Sequence, residues 1–172
     1  SLGTKARVAT VVTGPLAVTF RVELVMELPR AYDWNNRTRD TVTKSMPITV
    51  ELTLKKGAPY LEIQTTIKNT VKDHYFKVCF PTDLAAEKTW GEGSFMVTEF
   101  PVKPGTIGDL RGNELARHPA QMWCDLSNGK EGLAVLTDAT KDYEIIEHDR
   151  RQTIAIGLVR GVRLRIPCDN RL

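Results

Sequence analysis

ITVELTLKKGAPYLEIQTTI, Ile48 to Ile67, is the stretch whose reading decides the fold. Ile48, Val50, Leu52 and Leu54 alternate with Thr49, Glu51, Thr53 and Lys55. After Lys56-Gly57-Ala58-Pro59, the residues Leu61, Ile63, Thr65 and Ile67 resume the pattern. Successive side chains of a strand point to opposite faces, so a period of two gives each arm one apolar face. A short Gly/Pro break between two such runs reverses the chain. The stretch predicts two antiparallel strands.

The same period governs most of the chain. Val18, Phe20, Val22, Leu24, Met26 and Leu28 alternate with Thr19, Arg21, Glu23, Val25 and Glu27, which predicts one long half-buried strand. Further strands are expected at Phe76–Phe80, Phe95–Phe100, Gln121–Leu126, Gly132–Thr137, Tyr143–Glu147, Thr153–Val159 and Val162–Ile166. No window sustains a helical stripe, and Asp109–Pro119, between Pro/Gly-rich pieces, reads as a loop over the surface. Many strands at short spacing without βα alternation point to an all-β fold, a two-sheet antiparallel β-sandwich. At 172 residues the expectation is a single domain, 1–172.

Charge and composition exclude several classes. The net charge of +3 comes from 24 basic and 21 acidic side chains scattered along the sequence, with no basic stripe interleaved with aromatics for nucleic acid. No segment offers the roughly 18 consecutive apolar residues of a helical membrane span. Cys79, Cys124 and Cys168 are far apart and in no CxxC arrangement, against a disulfide scaffold or a zinc knuckle. SLGTKARVAT has neither an initiating Met nor the apolar stretch of a signal peptide, and both ends read as cut from a longer chain. Nothing in the sequence assigns a compartment.

Gln121–Asp138, QMWCDLSNGKEGLAVLTD, gathers a thiol, a carboxylate and a hydroxyl within four positions. In a strand, however, Cys124 and Leu126 face one way and Trp123 and Asp125 the other, so the thiol and the carboxylate do not cooperate. Asp125-Leu126-Ser127-Asn128-Gly129 reads as a strand end and turn, and Cys124 as a small buried apolar residue. His74, His118 and His148 form no HxD, HxH or HExxH and read as surface or capping residues. The acids are scattered, so no glycosidase-like pair stands out. Trp34 in RAYDWNNRTRD and Trp90 in KTWGEG lie in expected loops. An exposed indole suits the CH-rich face of a sugar, which makes these two the sugar-contact candidates, with Asp33, Asn35 and Asn36 as possible hydrogen-bond partners.

The order of three pieces resembles a known family. GAPYLEIQTTIKNTVKDHYFKVCFPTDL (Gly57–Leu84), MWCDLSNGKEGLAVLTDATKDYEI (Met122–Ile145) and TIAIGLVRG (Thr153–Gly161) are similar to the C-terminal β-sandwich region of glycoside hydrolase family 38, the α-mannosidases. Its pattern runs SPRLxFxTxVDW…HKxLKVxFPxD, then RWxDLSxxxxGxALLNDxxYGY, then LxLLRxP. It is matched here at Leu61, Ile63, Lys77, Val78, Phe80, Pro81, Asp83, Trp123, Asp125, Leu126, Ser127, Gly132, Ala134, Leu136, Asp138, Tyr143, Leu158 and Arg160. The likeness covers about Gly14 to Val162. The chain departs from the pattern at Phe95-Met96 and Phe100-Pro101, at Met122 in place of Arg, and at Thr137 in place of Asn.

The resemblance implies a supersandwich of the galactose mutarotase-like kind. It also implies a parent enzyme that hydrolyses α-mannosides through a zinc-bound aspartate in an N-terminal catalytic barrel. That barrel and its HxD motif are absent from this sequence, so no catalytic or metal role passes to any residue here. The zinc is expected in the absent catalytic domain, which is the expected partner, with mannosides as the carbohydrate. The reading that follows is a non-catalytic C-terminal domain. An independent carbohydrate-binding module built on Trp34 or Trp90 is the alternative, and a self-contained enzyme with an unrecognised site comes third.

Overall fold

The computed structural model describes residues 5–102, 117–138, 142–148 and 151–161. Those residues are all-β, and no helix occurs among them. In chain order the strands are β1 (Arg7–Thr13), β2 (Ala17–Pro29), β3 (Tyr32–Asp33), β4 (Thr38–Arg39), β5 (Thr43–Lys55), β6 (Leu61–Ile67) and β7 (Tyr75–Pro81). They continue with β8 (Lys88–Gly93), β9 (Met96–Pro101), β10 (Arg117–Pro119), β11 (Trp123–Ser127), β12 (Gly132–Leu136), β13 (Asp142–His148) and β14 (Arg151–Arg160). The chain divides into two compact units, one running up to His74 and including Gly161, the other Tyr75–Arg160.

The first unit holds an antiparallel sheet in the order β1-β2-β5-β6 and the small ribbon β3-β4. One side of that sheet is the decisive hairpin β5–β6, in which Ile48 pairs with Ile67, Val50 with Thr65, Leu52 with Ile63 and Leu54 with Leu61. Paired residues share a face, so alternation on two arms becomes one apolar surface. The turn closes with the Ala58 amide donating to Lys55 O at 3.1 Å while Gly57 takes φ +79°. That left-handed conformation costs glycine little. Strand β2 extends the same face across the sheet, pairing Phe20 with Leu52 and Val22 with Val50. On the opposite face Arg21 and Glu51 pair directly and form an ion pair at 2.7 Å.

The second unit is a two-sheet antiparallel sandwich, with sheets ordered β10-β13-β14-β7 and β12-β11-β8-β9. Tyr143, Ile154 and Ile156 from one sheet and Cys124 and Leu126 from the other form its buried core, with Leu84, Ala86, Val102 and Ala120 from the connections. Burial of each large aliphatic side chain contributes about 1.5–3 kcal/mol. The Tyr143 hydroxyl in that core is provided for, since it lies 3.3 Å from the buried Thr89 Oγ1, which donates to Asp125 O at 2.6 Å. Gly91 makes the fit possible, because a Cβ there would come within 2.9 Å of the Tyr143 ring and 3.0 Å of Pro119 O. Gln152 ties down the β7–β8 connection: its side-chain amide accepts from Ala86 N and donates to Ala86 O, both at 2.8 Å.

The expected strands appear with small shifts of boundary. The opening of the expected strand Phe95–Phe100 differs: Ser94 and Phe95 form the turn between Gly93 and its partner Met96, and Phe95 takes φ +67°. Strands β1, β3, β4, β8 and β10 are additional, and β10 replaces the end of the expected loop Asp109–Pro119. The rest of that loop and the expected strand Val162–Ile166 lie outside the described residues.

His118 is no surface residue. It is buried, stacked on Phe100 at 4.1 Å between centroids and 5.5 Å from Tyr143. Burial disfavours the imidazolium and lowers its pKa from the ordinary value. Because the folded-state pKa is depressed, the neutral ring's contribution is complete above about pH 6.5, the unfolded value, and is lost as the pH falls through the folded one. Thermal denaturation between pH 7 and pH 5 is expected to show a steeper loss of stability in the native chain than in His118→Phe, which keeps the stacked ring; equal slopes would contradict this burial.

Candidate functional site

Trp34 stands where the sequence places it, in the turn between β3 and β4. Asp33 builds that turn by accepting from Asn35 N at 2.9 Å, Asn36 N at 3.2 Å and Asn36 Nδ2 at 2.8 Å. These bonds, the Asn36 side chain first, hold the Asp33 carboxyl below its ordinary pKa. Asp33 and Asn36 therefore serve the turn, whereas the sequence offers them as sugar partners. The indole is 38% exposed. It meets the Tyr32 ring edge-on at 4.9 Å and 75°, and Tyr32 in turn carries the Arg39 guanidinium 5.5 Å from its centroid.

Beside the indole opens a cleft of about 570 Å³ lined by Tyr32, Trp34, Asn69, Val71, Lys72, Asp73 and Gly161. Asp73 organises it. Its amide donates to Gly161 O at 2.9 Å and its carbonyl accepts from the Arg39 guanidinium at 2.6 Å. The carboxylate accepts from Trp34 Nε1 and from Tyr32 N, each at 3.4 Å. Both contacts are longer than an ordinary N–H···O bond, so the carboxylate keeps most of its accepting capacity. Asp73 takes φ +55°, a conformation uncommon for residues other than glycine, though Asp and Asn are enriched there. Next to it, both His74 ring nitrogens are buried without a hydrogen-bond partner among the described residues.

Trp90 differs from expectation. It lies within β8, not in a loop, half-buried and paired with Glu99 of β9 and Asp125 of β11. Trp34 and Trp90 thus belong to different units. Trp123 lies in a strand, as read, and the β11–β12 hairpin forms with Ser127 opposite Gly132. Its turn is held by Asn128 Oδ1, which accepts from the amides of Lys130 and Glu131, each at 3.0 Å, and by Gly129 at φ +85°.

Cys124 is 1% exposed, and burial first, then the charge of Asp125, pushes its thiol up to about 12. A thiol so poorly ionised at neutral pH is a packing residue, not a nucleophile. Among the described residues no three His, Cys, Asp or Glu side chains come together as a metal site.

Asn69, Lys72 and Asp73 carry no local sequence signal as site residues. Asp73 is 39 positions from Trp34, and only the fold brings them together.

Comparison with known proteins places these observations. The family described as "Glycosyl hydrolases family 38 C-terminal domain" matches residues 2–164. The "Putative mannosylglycerate hydrolase" of Halalkalibacterium halodurans is 32% identical over 112 residues, which are 65% of this chain and 12% of that protein. An alpha-mannosidase from Enterococcus faecalis V583 superposes with a TM-score of 0.81 at 22% identity, over 92% of this chain and 19% of that one. A glycosyl hydrolase family 38 protein from Enterococcus faecalis gives 0.79 at 22% identity, over 93% and 19%. This chain therefore spans a small fraction of the relatives it matches. The family model's match over residues 2–164, nearly the whole chain, shows that the chain belongs to the glycosyl hydrolase family 38 C-terminal domain family.

Proposed function

We propose that this chain is the non-catalytic β-sandwich domain of an α-mannosidase-like glycoside hydrolase, and that it docks on an N-terminal catalytic domain of the same polypeptide. The observation that carries the reading is the apolar face of the first unit's sheet. At the end that holds the β5–β6 turn, Phe20 (44%), Leu54 (56%), Leu61 (49%), Ile63 (41%) and Val8 (62%) are all exposed. Their pairings put them on one side of four adjoining strands, so they form a patch rather than scattered residues. A contiguous apolar patch of this kind marks an interaction surface. The occupant is a segment of the same polypeptide, because the relatives are several times longer than this chain and the family is a C-terminal domain.

The hydrolysed bond is the α-mannosidic one, in keeping with the names of two of these relatives. Zinc and the catalytic carboxylates belong to the catalytic domain. The second unit adds a further contact candidate in Phe95, wholly exposed at a hairpin tip and in a backbone region that bulky side chains avoid. Strain of this kind persists at sites of function more often than elsewhere.

Two measurements test the reading. The chain alone, incubated with an aryl α-mannoside and zinc, is expected to release no aryl alcohol; turnover abolished by chelation would show a catalytic site within these residues. Ile63→Glu is expected to change the stability of the isolated chain by no more than roughly 0.5 kcal/mol, since it alters an exposed position. In the full-length enzyme the same substitution should lower the melting temperature and the yield of active protein, and an unaffected full-length enzyme would remove this face from the interface.

A further inference from the structure

We infer that the Trp34 cleft is a binding site for a single pyranose ring, whose CH-rich face rests on the indole and whose vicinal hydroxyls bridge Asp73 and Lys72. The inference uses residues of the first unit only and is independent of the docking reading.

The chemistry of the lining selects the ligand. The volume of about 570 Å³ lies within the roughly 300–1,000 Å³ of small-molecule sites. One wall is aromatic, with an indole held by the Tyr32 ring and by Asp73 and yet 38% exposed. The polar groups are of both kinds. Asp73 offers acceptor positions beyond its two long bonds. The Lys72 ammonium has no ion pair with a described residue, and Asn69, whose Oδ1 accepts from Val71 N at 3.3 Å, keeps its amide nitrogen for donation.

A wholly apolar ligand would strip water from this carboxylate and ammonium without replacing their hydrogen bonds, at a cost that disfavours it. An inorganic anion would meet the Asp73 carboxylate, and a bare metal ion would meet the Lys72 ammonium. A polyhydroxylated ring satisfies both charges, because each hydroxyl donates to the carboxylate and accepts from the ammonium, while its axial C–H bonds cover the indole. The site is also held in place before any ligand arrives. The Asp73 backbone is fixed in its left-handed conformation by Gly161 O on one side and Arg39 on the other, which sets the carboxylate at the cleft.

The test is a titration of the ¹⁵N-labelled chain with methyl α-D-mannopyranoside, following the three indole N–H resonances. The resonance that Trp34→Phe deletes is expected to move saturably, with half-saturation in the millimolar range. Asp73→Asn should weaken binding about tenfold or more, as expected for loss of a charged acceptor. Asn tolerates the left-handed conformation, so the dispersion of the remaining resonances should stay native. Trp90→Phe should bind as the native chain does. A Trp34 resonance that stays still at saturating sugar would overturn the inference, as would equal affinity in Asp73→Asn, or a shift produced by inorganic phosphate in place of the sugar.

Discussion

A pleated strand has two faces, and once alternation makes one of them apolar, that face has to be covered. Everything else in this chain follows from how the cover is provided. In Tyr75–Arg160 two antiparallel sheets supply it to each other, and Leu126, Ile154 and Tyr143 reach zero exposure between them. In the first unit the same alternation builds one four-stranded sheet whose apolar face is buried at Met46 and Ile48 and exposed at Phe20, Leu54, Leu61 and Ile63. At about 25 cal/mol per Å² of apolar surface, covering that patch would stabilise an interface appreciably. The proposed docking on a catalytic domain rests on this uncovered surface.

How much was legible follows from where the signal lies. Strands β2, β5, β6, β11 and β12 each carry their own alternation or turn chemistry, so local reading finds them, while their register comes from the pairing in the fold. Strand β8 does not: KTWGEG has two glycines and no clean period, and the reason for Gly91 is the Tyr143 ring 52 positions later, against which any Cβ would clash. Strand β1, RVATVVT, lacks the polar partners that make a period visible, and each of its residues is exposed. The stacking of His118 on Phe100 and the meeting of Asp73 with Trp34 are products of strand pairing, and no window of sequence contains them.

The same contrast applies to chemistry. The thiol, carboxylate and hydroxyl of WCDLS are close in sequence and parted by the pleat, with Cys124 turned into the core and Asp125 away from it. The cleft beside Trp34 is the reverse case: residues far apart in sequence are gathered around an indole by a two-strand ribbon and the segment that leads into β7. Reactive residue types side by side mark a turn here, while the candidate binding site is assembled from ordinary residues at a distance.

The central claim is that the exposed apolar face of the first sheet is covered in the parent enzyme. Amide hydrogen exchange, compared between this chain alone and the full-length protein, tests it most directly. The account predicts slower exchange in the full-length protein over Arg7–Thr13 and Leu61–Ile67, the two edge strands of that sheet, and unchanged exchange in the buried centre of β14. Identical rates along both edge strands in the two proteins would contradict it.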